Sequence, residues 1–467
     1  MKLVDKKKKI YFIGIGGIGM SGIAEILFEM GYSISGSDQN KNNNTARLEK
    51  IGIDVNYGHK NTNILKFDIV VISSAILKNN LELIKARKNN IPILPRAKML
   101  SEIMRLKSSI TIAGSHGKTT TTSMISCIFE DAGLDPTVIN GGIINTYNTN
   151  AKLGNGDWVI AEADESDGSF TYLPSTICLI NNIDPEHLDY YGSYKNLVEA
   201  FLKYAENVPF YGFISLCIDH KNTKDLIPKL LNKKIVTFGL NKTAEFTANN
   251  ISIKEINGIY YTKFDALINQ TKFERIKNII VPILGDHNLT NILGAISIAK
   301  NLGIKKNQIK HSLKNFKGVK RRFTLIDEIN GVKIFDDYAH HPKEISATLS
   351  TLKKITHGKV IAIYEPHRYT RLKELFDDFS KCFRKCDALF LLPVFPAGEK
   401  RIPLFNSKKL ASAVRVAKTG KVFNSSSKHT IYKNLLKIMN PKDNVIFLGA
   451  GPITKLANEF PSYIREN

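Results

Sequence analysis

The segment SSITIAGSHGKTTTTSMISCIF, residues 108–129, constrains the fold of this chain more than any other. An apolar strand pattern leads into a glycine loop, and the loop leads into a helix pattern, which is the context of a nucleotide phosphate-binding loop. The usual loop has Gly, four residues and then Gly-Lys-Ser/Thr. Here Ile112 stands at the first Gly, and Gly114 follows two residues later. The segment therefore predicts a parallel α/β sheet with a shortened phosphate loop.

The shortened loop keeps the groups that bind a nucleotide. Gly114 and Gly117 allow the backbone to approach a phosphate closely. Lys118 can reach β- and γ-phosphate oxygens, and the hydroxyl of Thr119 or Thr120 can contact a magnesium ion. A surface turn without a ligand is the alternative, but the strand before the loop and the helix after it favour an ATP site. The residues expected to contact the nucleotide are Gly114, Ser115, His116, Gly117, Lys118, Thr119 and Thr120.

A second glycine turn lies near the start of the chain, in the stretch KIYFIGIGGIGMSGIA. Gly14, Gly16 and Gly19 form the Gly-x-Gly-x-x-Gly pattern between a predicted strand and a predicted helix. Asp38 follows at the end of the next strand, as in dinucleotide-binding folds. The turn predicts a pyrophosphate site, which a UDP group fits as well as NAD does. A glycine turn without a ligand is the alternative.

Strand and helix patterns alternate along most of the chain, which predicts parallel, doubly wound sheets. Only residues 245–284 show hairpin-like alternation. We expect an α/β protein of three domains, each built on a largely parallel sheet: a Rossmann-like first domain, a central ATPase domain and a Rossmann-like last domain. The expected borders are 1–106, 107–318 and 319–467.

Acidic and amide side chains follow predicted strands in the central segment. The stretch EADESDGSF places Glu162, Asp164, Glu165 and Asp167 at the end of a strand, and NNIDPEHLDYYG places His187 at an equivalent edge. Magnesium prefers a few carboxylates together with substrate oxygens, so these residues are candidate metal ligands near the phosphate loop. Asn288 and Asn291 share a helix face and are candidates to hydrogen-bond adenine, with helix capping by Asn288 as the alternative.

Composition excludes several classes of protein. The chain has 467 residues, 43% of them hydrophobic, and no uninterrupted apolar run long enough for a bilayer. Five scattered cysteines fit a reducing cytoplasm and no zinc site. The net charge of +23 comes from lysines spread through every segment, without a basic stripe interleaved with aromatics. We therefore expect a cytoplasmic protein that binds neither nucleic acid nor membranes, and whose substrate can be a small anion.

Eight stretches occur together and in one order: GIGGIGMSGIA, SGSD, GSHGKTTTTSM, EADESDGSF, NIDPEHLDYYG, DHNLTN, DDYAHHP and PHRYTR. In this combination the chain closely resembles the Mur ligases over essentially its whole length. The resemblance implies a UDP-binding domain, an ATPase domain and a C-terminal domain that closes to bring in an amino acid. It also explains the shortened loop, since this family uses Gly-x-x-Gly-Lys-Thr.

The resemblance further implies an activity. The motifs are most similar to those of members that join L-alanine to UDP-N-acetylmuramate. The resemblance implies ATP and two magnesium ions as cofactors, and a monomer or homodimer is expected. Lys118, His187, His341, Arg368 and Arg371 are the expected catalytic residues. Thr119, Glu162 and His187 are the expected magnesium ligands, and Arg322 and Asp337 join Asn288 and Asn291 at the nucleotide. The expected UDP-sugar contacts are Gly14, Gly16, Gly17, Gly19, Met20, Asp38, Ser74 and Arg96.

Several Mur ligases carry a carbamoylated lysine near the metal. The corresponding run here is EAFLKYAENV, which aligns Phe201 with that lysine and leaves Lys203 two residues later. Two residues rotate a side chain by about 200° on a helix, so Lys203 is expected to point away from the metal.

Three other functions remain open from the sequence. A ligase that attaches a preformed peptide to the same UDP-sugar would share the ATP site. A nicotinamide-dependent dehydrogenase would account for the first glycine turn but leaves Lys118, Glu162 and His187 without a role. A sugar-nucleotide sensor without activity would have no need of the expected magnesium ligands.

Overall fold

The computed structural model of the chain describes residues 8–60, 63–73, 75–147, 149–417, 420–425 and 427–466. In these ranges the strands form three sheets, each covered by helices. The α/β class and the three largely parallel sheets confirm the fold that the alternating pattern predicts. None of the helices in the described ranges combines the length and apolarity that crossing a membrane requires.

The first sheet is entirely parallel, and its strand order is β3-β2-β1-β4-β5. Its elements are β1 (Lys9–Ile13), α1 (Ile18–Glu29), β2 (Ser33–Asp38), α2 (Asn43–Lys50), β3 (Asp54–Tyr57), β4 (Ile69–Ile72), α3 (Leu81–Lys88), β5 (Ile93–Pro95) and α4 (Arg96–Met104). The chain leaves β1 toward one side of the sheet and returns to its other side at β4. The glycine turn after β1 therefore lies at the point where the strand order reverses, which is where such sheets bind ligands.

The second sheet has the order β15-β14-β13-β12-β11-β10-β6-β9-β7-β8. Its strands are β6 (Ser108–Ala113), β7 (Thr137–Ile144), β8 (Thr149–Lys152), β9 (Trp158–Glu162), β10 (Ile177–Ile180), β11 (Phe213–Cys217), β12 (Ile235–Phe238), β13 (Phe246–Ile256), β14 (Ile259–Asn269) and β15 (Phe273–Val281). Its helices are α5 (Lys118–Asp131), α6 (Leu188–Tyr191), α7 (Tyr194–Glu206), α8 (Lys221–Lys224), α9 (Asp286–Asn301) and α10 (Lys306–Lys314).

The centre of the second sheet is parallel, and its antiparallel pairs lie at the two ends. Strand β8 pairs antiparallel with β7, and β13, β14 and β15 form the antiparallel hairpins that residues 245–284 predict. Strand β6 pairs with β9 on one side and with β10 on the other, both in parallel. The carboxyl ends of β6, β9 and β10 are therefore neighbours, and these are the ends that carry the phosphate loop, Glu162 and the turn before His187.

The third sheet has the order β16-β17-β21-β18-β19-β20, and only the pair of β16 and β17 is antiparallel. Its strands are β16 (Thr324–Ile329), β17 (Val332–Asp337), β18 (Val360–Tyr364), β19 (Ala388–Leu391), β20 (Lys421–Asn424) and β21 (Asn444–Leu448). Its helices are α11 (Pro342–Ile355), α12 (Tyr369–Glu374), α13 (Phe376–Lys381), α14 (Ser407–Ala417), α15 (Lys428–Ile438) and α16 (Ile453–Glu466).

The three sheets belong to two compact units. Unit 1 contains Met1–Pro282 and Asn288–Gly318, so it holds the first and the second sheet. Unit 2 contains Ile283–His287 and Val319–Asn467 and holds the third sheet. The division into three domains at residues 106 and 318 stays a prediction.

The first and second sheets are joined through helix α1 and strand β8. Residues 20–27 of α1 are all buried, which a helix with only one packed face would not allow. Arg47 binds the carboxylate of Glu25 at 3.2 Å and the side-chain oxygen of Asn150 at 2.7 Å. The amide of Asn150 in turn donates to the carbonyl of Ile18 at 2.6 Å. Polar contacts as well as apolar packing thus fix the first sheet to the second.

Candidate functional site

The phosphate loop runs from Gly114 to Gly117, between β6 and α5. Both glycines have positive φ, 134° and 83°, where a side chain is strained. A Cβ on Gly114 would lie 3.1 Å from the backbone of Asn182, and one on Gly117 would overlap the side chain of Asn291. The loop therefore needs glycine at both positions.

The loop is tied to the segment that follows β10. The backbone N–H of His116 donates to Oδ1 of Asn182 at 2.8 Å, and Nε2 of His116 lies 3.4 Å from Asp184. The hydroxyl of Ser115 accepts from the backbone N–H of Asp184 at 2.8 Å. These contacts fix the loop before a ligand arrives, which reduces the entropy cost of binding a phosphate.

Lys118 begins helix α5 and is largely buried. Its ammonium donates to the carbonyl of Gly114 at 2.6 Å and lies 2.9 Å from the carboxylate of Glu165. Burial alone would lower the pKa of Lys118, but the carboxylates of Glu165, Glu162 and Asp164 outweigh it and raise the pKa well above its usual range. Lys118 is therefore charged and held at the loop.

Thr119 and Glu162 form the first group of candidate magnesium ligands. The hydroxyl of Thr119 donates to Oε2 of Glu162 at 2.9 Å, and the backbone N–H of Gly141 donates to the same oxygen at 2.9 Å. Both side-chain ligands are oxygens, which suits magnesium. Thr120, the next residue, is buried in the first turn of α5.

His187 belongs to a different group. Its donor atoms lie with those of Glu165 and Glu186, all within 4.8 Å of one another, and Glu162 is not a member of that group among the described residues. His187 has positive φ, 55°, at the turn where helix α6 begins. The sequence assigns Thr119, Glu162 and His187 to magnesium, with two ions expected. In the structure Thr119 and Glu162 contact each other, and His187 lies with Glu165 and Glu186. The magnesium roles of all three residues stay predictions.

Asn288 and Asn291 lie beside the phosphate loop. The amide of Asn291 donates to the side-chain oxygen of Asn288 at 3.4 Å, and Asn291 packs against Gly117. Asn291 is 5% exposed. The shared helix face that the sequence predicts is present, and the contact with adenine stays a prediction.

The first glycine turn and Asp38 come together as the dinucleotide pattern predicts. Gly14 has φ of 82°, and the backbone N–H of Gly16 donates to Oδ2 of Asp38 at 2.8 Å. Gly17 is the residue before the first turn of α1. Ser74, a predicted UDP-sugar contact, lies outside the described residues.

Arg96 lies between the first glycine turn and the acidic turn of the second sheet. Its guanidinium approaches Gly19, where a Cβ would lie 3.1 Å from Nη1, and it binds Asp164 at 3.3 Å. Met20 is 1% exposed and packs in the core, so its side chain stabilises α1. The roles of both residues toward a UDP-sugar stay predictions.

In unit 2, Asp337 ends strand β17 in a buried position. Its carboxylate accepts from the backbone N–H of Ala339 at 3.0 Å and from the hydroxyl of Thr348 at 2.9 Å. Burial raises the pKa of Asp337 to about 6, although the charge of Arg322 opposes the rise. Arg322 lies over the ring of Tyr338, 5.1 Å from its centre.

The other predicted residues of unit 2 lie at the ends of β17 and β18. His341 is 2% exposed and accepts from the backbone N–H of Lys343 at 3.3 Å, so it caps helix α11. Arg368 has positive φ, 70°, and Arg371 lies 3.3 Å from Nδ1 of His367. Burial lowers the pKa of His367 to about 3, and the charges of its neighbours act in the same direction. His367 is therefore neutral beside the two arginines.

The sequence indicates Glu165 only as one of four carboxylates in an acidic stretch and gives Glu186 no role, whereas the structure places both beside predicted site residues. Glu165 pairs with Lys118, and Glu186 lies with His187. Glu165 stands in the acidic stretch EADESDGSF, and Glu186 directly precedes His187. Their positions beside predicted ligands were the available signal for both residues. This signal is weak, because an acidic turn is more often a solvated part of the surface.

A glycine loop between a central parallel strand and a helix, with a buried lysine and carboxylates around it, defines the class of phosphate-loop α/β proteins. The family models for the "Mur ligase family, catalytic domain", the "Mur ligase middle domain" and the "Mur ligase, glutamate ligase domain" match residues 9–108, 112–299 and 321–451. The chain belongs to the Mur ligase family.

Relatives match over the full length. The chain is 49% identical over 474 residues to the UDP-N-acetylmuramate--L-alanine ligase of Rickettsia bellii, covering 99% of this chain and 98% of the relative. It is 46% identical over 468 residues to the enzyme of the same name from Agrobacterium fabrum, covering 100% and 98%.

Solved structures of ligases have a fold similar to that of this chain. The UDP-N-acetylmuramate-alanine ligase of Thermotoga maritima is 26% identical with a TM-score of 0.82, and the match covers 98% of this chain and 99% of that one. A murein peptide ligase from Psychrobacter arcticus shares the fold, with a TM-score of 0.70 at 23% identity over 97% and 98% of the two chains.

Proposed function

We propose that this chain joins L-alanine to the lactyl carboxylate of UDP-N-acetylmuramate, using ATP and releasing ADP and phosphate, in the synthesis of peptidoglycan precursors. The observation that carries the proposal is the full-length identity of 46–49% to enzymes of that name. The phosphate loop with its buried lysine supports the use of ATP, which is general in the Mur ligase family. The dehydrogenase that the first glycine turn alone would allow is not proposed.

The reaction needs two steps because a carboxylate is a poor acyl donor. An oxygen of the lactyl carboxylate attacks the γ-phosphorus of ATP, so ADP leaves and an acyl phosphate forms. The amine of L-alanine then attacks the carbonyl carbon, and the tetrahedral intermediate expels phosphate and leaves an amide after loss of the amine proton. Positioning and charge neutralisation provide most of the catalysis in such transfers.

The residues of unit 1 have distinct roles in this scheme. Lys118 neutralises charge on the transferred phosphate, and its buried position makes that charge effective. Thr119 and Glu162 would hold one magnesium ion, and His187 with its neighbours would hold a second. Magnesium, when bound, would neutralise charge on the phosphates. Asn288 and Asn291 would bind the adenine.

The glycine turn of the first sheet would bind the UDP-sugar. Helix α1 begins at Ile18, directly after this turn, and the N-terminus of a helix stabilises a pyrophosphate. Asp38 and Arg96 are the charged residues at this turn. In unit 2, Arg322 and Asp337 would contact the nucleotide, while His341, Arg368 and Arg371 would face L-alanine and the acyl phosphate. We propose a cytoplasmic monomer or homodimer.

Phosphate release tests the proposal directly. The purified chain is given ATP, magnesium and UDP-N-acetylmuramate, with L-alanine, glycine, L-serine or no amino acid in parallel reactions. We expect rapid phosphate release only when the UDP-sugar and L-alanine are both present, and a product one alanine residue heavier by mass spectrometry. Rapid turnover with a preformed murein peptide and none with L-alanine would favour a peptide ligase instead.

A further inference from the structure

The ammonium of Lys118 and the carboxylate of Glu165 form an ion pair inside the candidate ATP site. Lys118 lies 2.9 Å from both carboxylate oxygens of Glu165, and the two side chains are 14% and 1% exposed. Water and salt screen such a pair weakly. The lysine of a phosphate loop is the group that binds nucleotide phosphates. In this structure it is bound by a carboxylate, which must release it when a phosphate arrives.

Glu165 has a second set of neighbours within reach. Its carboxylate lies with the ligand atoms of Glu186 and His187, all within 4.8 Å of one another. Its backbone carbonyl accepts from the N–H of Gly168 at 3.1 Å and from the hydroxyl of Tyr191. Because the backbone is fixed in this way, a change of partner requires movement of the side chain alone.

The negative charge of Glu165 links the binding of its two possible partners, the ammonium of Lys118 and a divalent cation. While Glu165 binds Lys118, the ammonium offsets the carboxylate charge. Once a phosphate takes Lys118, Glu165 would remain buried and uncompensated beside Glu186, which is costly. A divalent cation bound by Glu165, Glu186 and His187 removes that cost, and two oxygen ligands with one imidazole form a suitable set.

We propose that Glu165 is a positioning residue that exchanges partners: it holds Lys118 before nucleotide binds, and it holds a divalent cation with Glu186 and His187 once a phosphate has taken Lys118. This inference rests on the proposed function, since it concerns the same ATP site. Its consequence is an order of events, in which the nucleotide must bind before this cation site becomes available.

The first experiment measures the nucleotide without a metal. The Kd of a non-hydrolysable ATP analogue is determined by calorimetry in EDTA for the wild type, for Glu165→Gln and for Asp189→Asn. Asp189 is an exposed carboxylate beside His187 and controls for the loss of one negative charge. We expect Glu165→Gln to bind the analogue at least about fivefold more tightly because Lys118 is no longer held, and Asp189→Asn to remain within about twofold.

The second experiment removes the lysine of the ion pair instead of the carboxylate. It therefore also tests the proposal if Glu165→Gln folds poorly. Binding of Mn²⁺ is followed by electron paramagnetic resonance, without nucleotide, in Lys118→Ala and in the double variant Lys118→Ala/Glu165→Gln. We expect Lys118→Ala to bind Mn²⁺ at least about fivefold more tightly than the wild type, because Glu165 is released, and the double variant to lose this gain.

With the ATP analogue present, the wild type is expected to bind two Mn²⁺ ions and Glu165→Gln one. Equal analogue affinity of Glu165→Gln and wild type, or no gain of Mn²⁺ affinity in Lys118→Ala, would overturn the exchange while leaving the proposed ligase intact. A wild type that binds no ATP analogue, with or without metal, would overturn both. Neither measurement uses the UDP-sugar or L-alanine, so the two proposals can fail separately.

Discussion

The hydroxyl of Thr119 donates a hydrogen bond of 2.9 Å to Oε2 of Glu162. The same oxygen also accepts from the backbone N–H of Gly141. The first turn of α5 and the end of β9 are thereby held together at the phosphate loop. Two oxygens with fixed separation form a site in which a cation need not reorganise its ligands.

Substitution of Thr119 tests whether this pair acts in catalysis. Thr119→Val keeps the shape of the side chain and removes the hydroxyl, so we expect turnover to fall about 100-fold, as for loss of one preorganised electrostatic contact. Thr119→Ser keeps the hydroxyl and should stay within about threefold of the wild type. Phosphate release over a range of magnesium concentrations provides the measurement. Similar activity of the valine and serine variants would exclude the hydroxyl from the site.

Gly16 provides a test of the UDP-sugar site that leaves the ATP site untouched. A Cβ at this position would lie 2.5 Å from Asn42 and 2.8 Å from the carboxylate of Asp38, so Gly16→Ala must displace the turn. We expect its affinity for UDP-N-acetylmuramate to fall about tenfold or more, and its affinity for the ATP analogue to stay unchanged. Calorimetry with each ligand checks both. An unchanged affinity for the UDP-sugar would place its diphosphate elsewhere.

Phe201 and Lys203 bear on the carbamoylated lysine of other Mur ligases. Phe201 is fully buried against Phe170, with ring centres 5.0 Å apart, and Lys203 is exposed beside Tyr172. We therefore expect activity to be insensitive to removal of bicarbonate and Lys203→Ala to keep most turnover.

Lys118→Ala is the matched lysine variant, and we expect it to lose about 100- to 1,000-fold in turnover. Rates of phosphate release in bicarbonate-free and bicarbonate-containing buffer provide the comparison. A carbamate on Lys203, or rescue of Lys203→Ala by short carboxylic acids, would contradict the alignment of this helix.

Asp337 makes unit 2 sensitive to pH. Burial raises its pKa from 3.8 to about 6, so the folded state keeps a proton that the unfolded state has lost. The resulting stabilisation is present below about pH 4 and is lost as pH rises through about 6, at most on the order of 3 kcal/mol. We expect Asp337→Asn to become more stable relative to the wild type between pH 4 and 7.

Thermal unfolding followed at several pH values measures this difference. Glu328 is an exposed carboxylate of the same unit, so Glu328→Gln should follow the wild-type profile. Parallel profiles of the wild type and Asp337→Asn would mean that Asp337 ionises normally in the folded chain.

Local patterns predicted most of the fold and the glycine loop of the candidate phosphate site. The loop from Gly114 to Lys118 is continuous in sequence, so its strand, turn and helix could be recognised together. The partner of Lys118 could not be recognised in this way, because Lys118 and Glu165 are 47 positions apart in the sequence and are brought together by the sheet. The grouping of His187 with Glu165 depends in the same way on which strands become neighbours.

The local sequence pattern also could not predict how deeply helix α1 is buried. Met20 follows the first glycine turn, and no local pattern indicates that its side chain packs in the core. Its role toward the UDP-sugar stays a prediction. Helix α1 is buried along residues 20–27 because the second sheet covers the face that a solitary domain would leave in water. A pattern within residues 1–106 cannot contain information about a neighbour that begins after them.

The contacts of Arg47 with Glu25 and Asn150 have a practical consequence for dividing this protein. A fragment that ended near residue 106 would leave the Arg47–Glu25 pair without Asn150 and would expose the apolar side of α1 to solvent. Such a surface favours self-association. The first sheet is therefore a poor choice for expression by itself, and a fragment that contains it must also contain β7 and β8 to keep these contacts of α1.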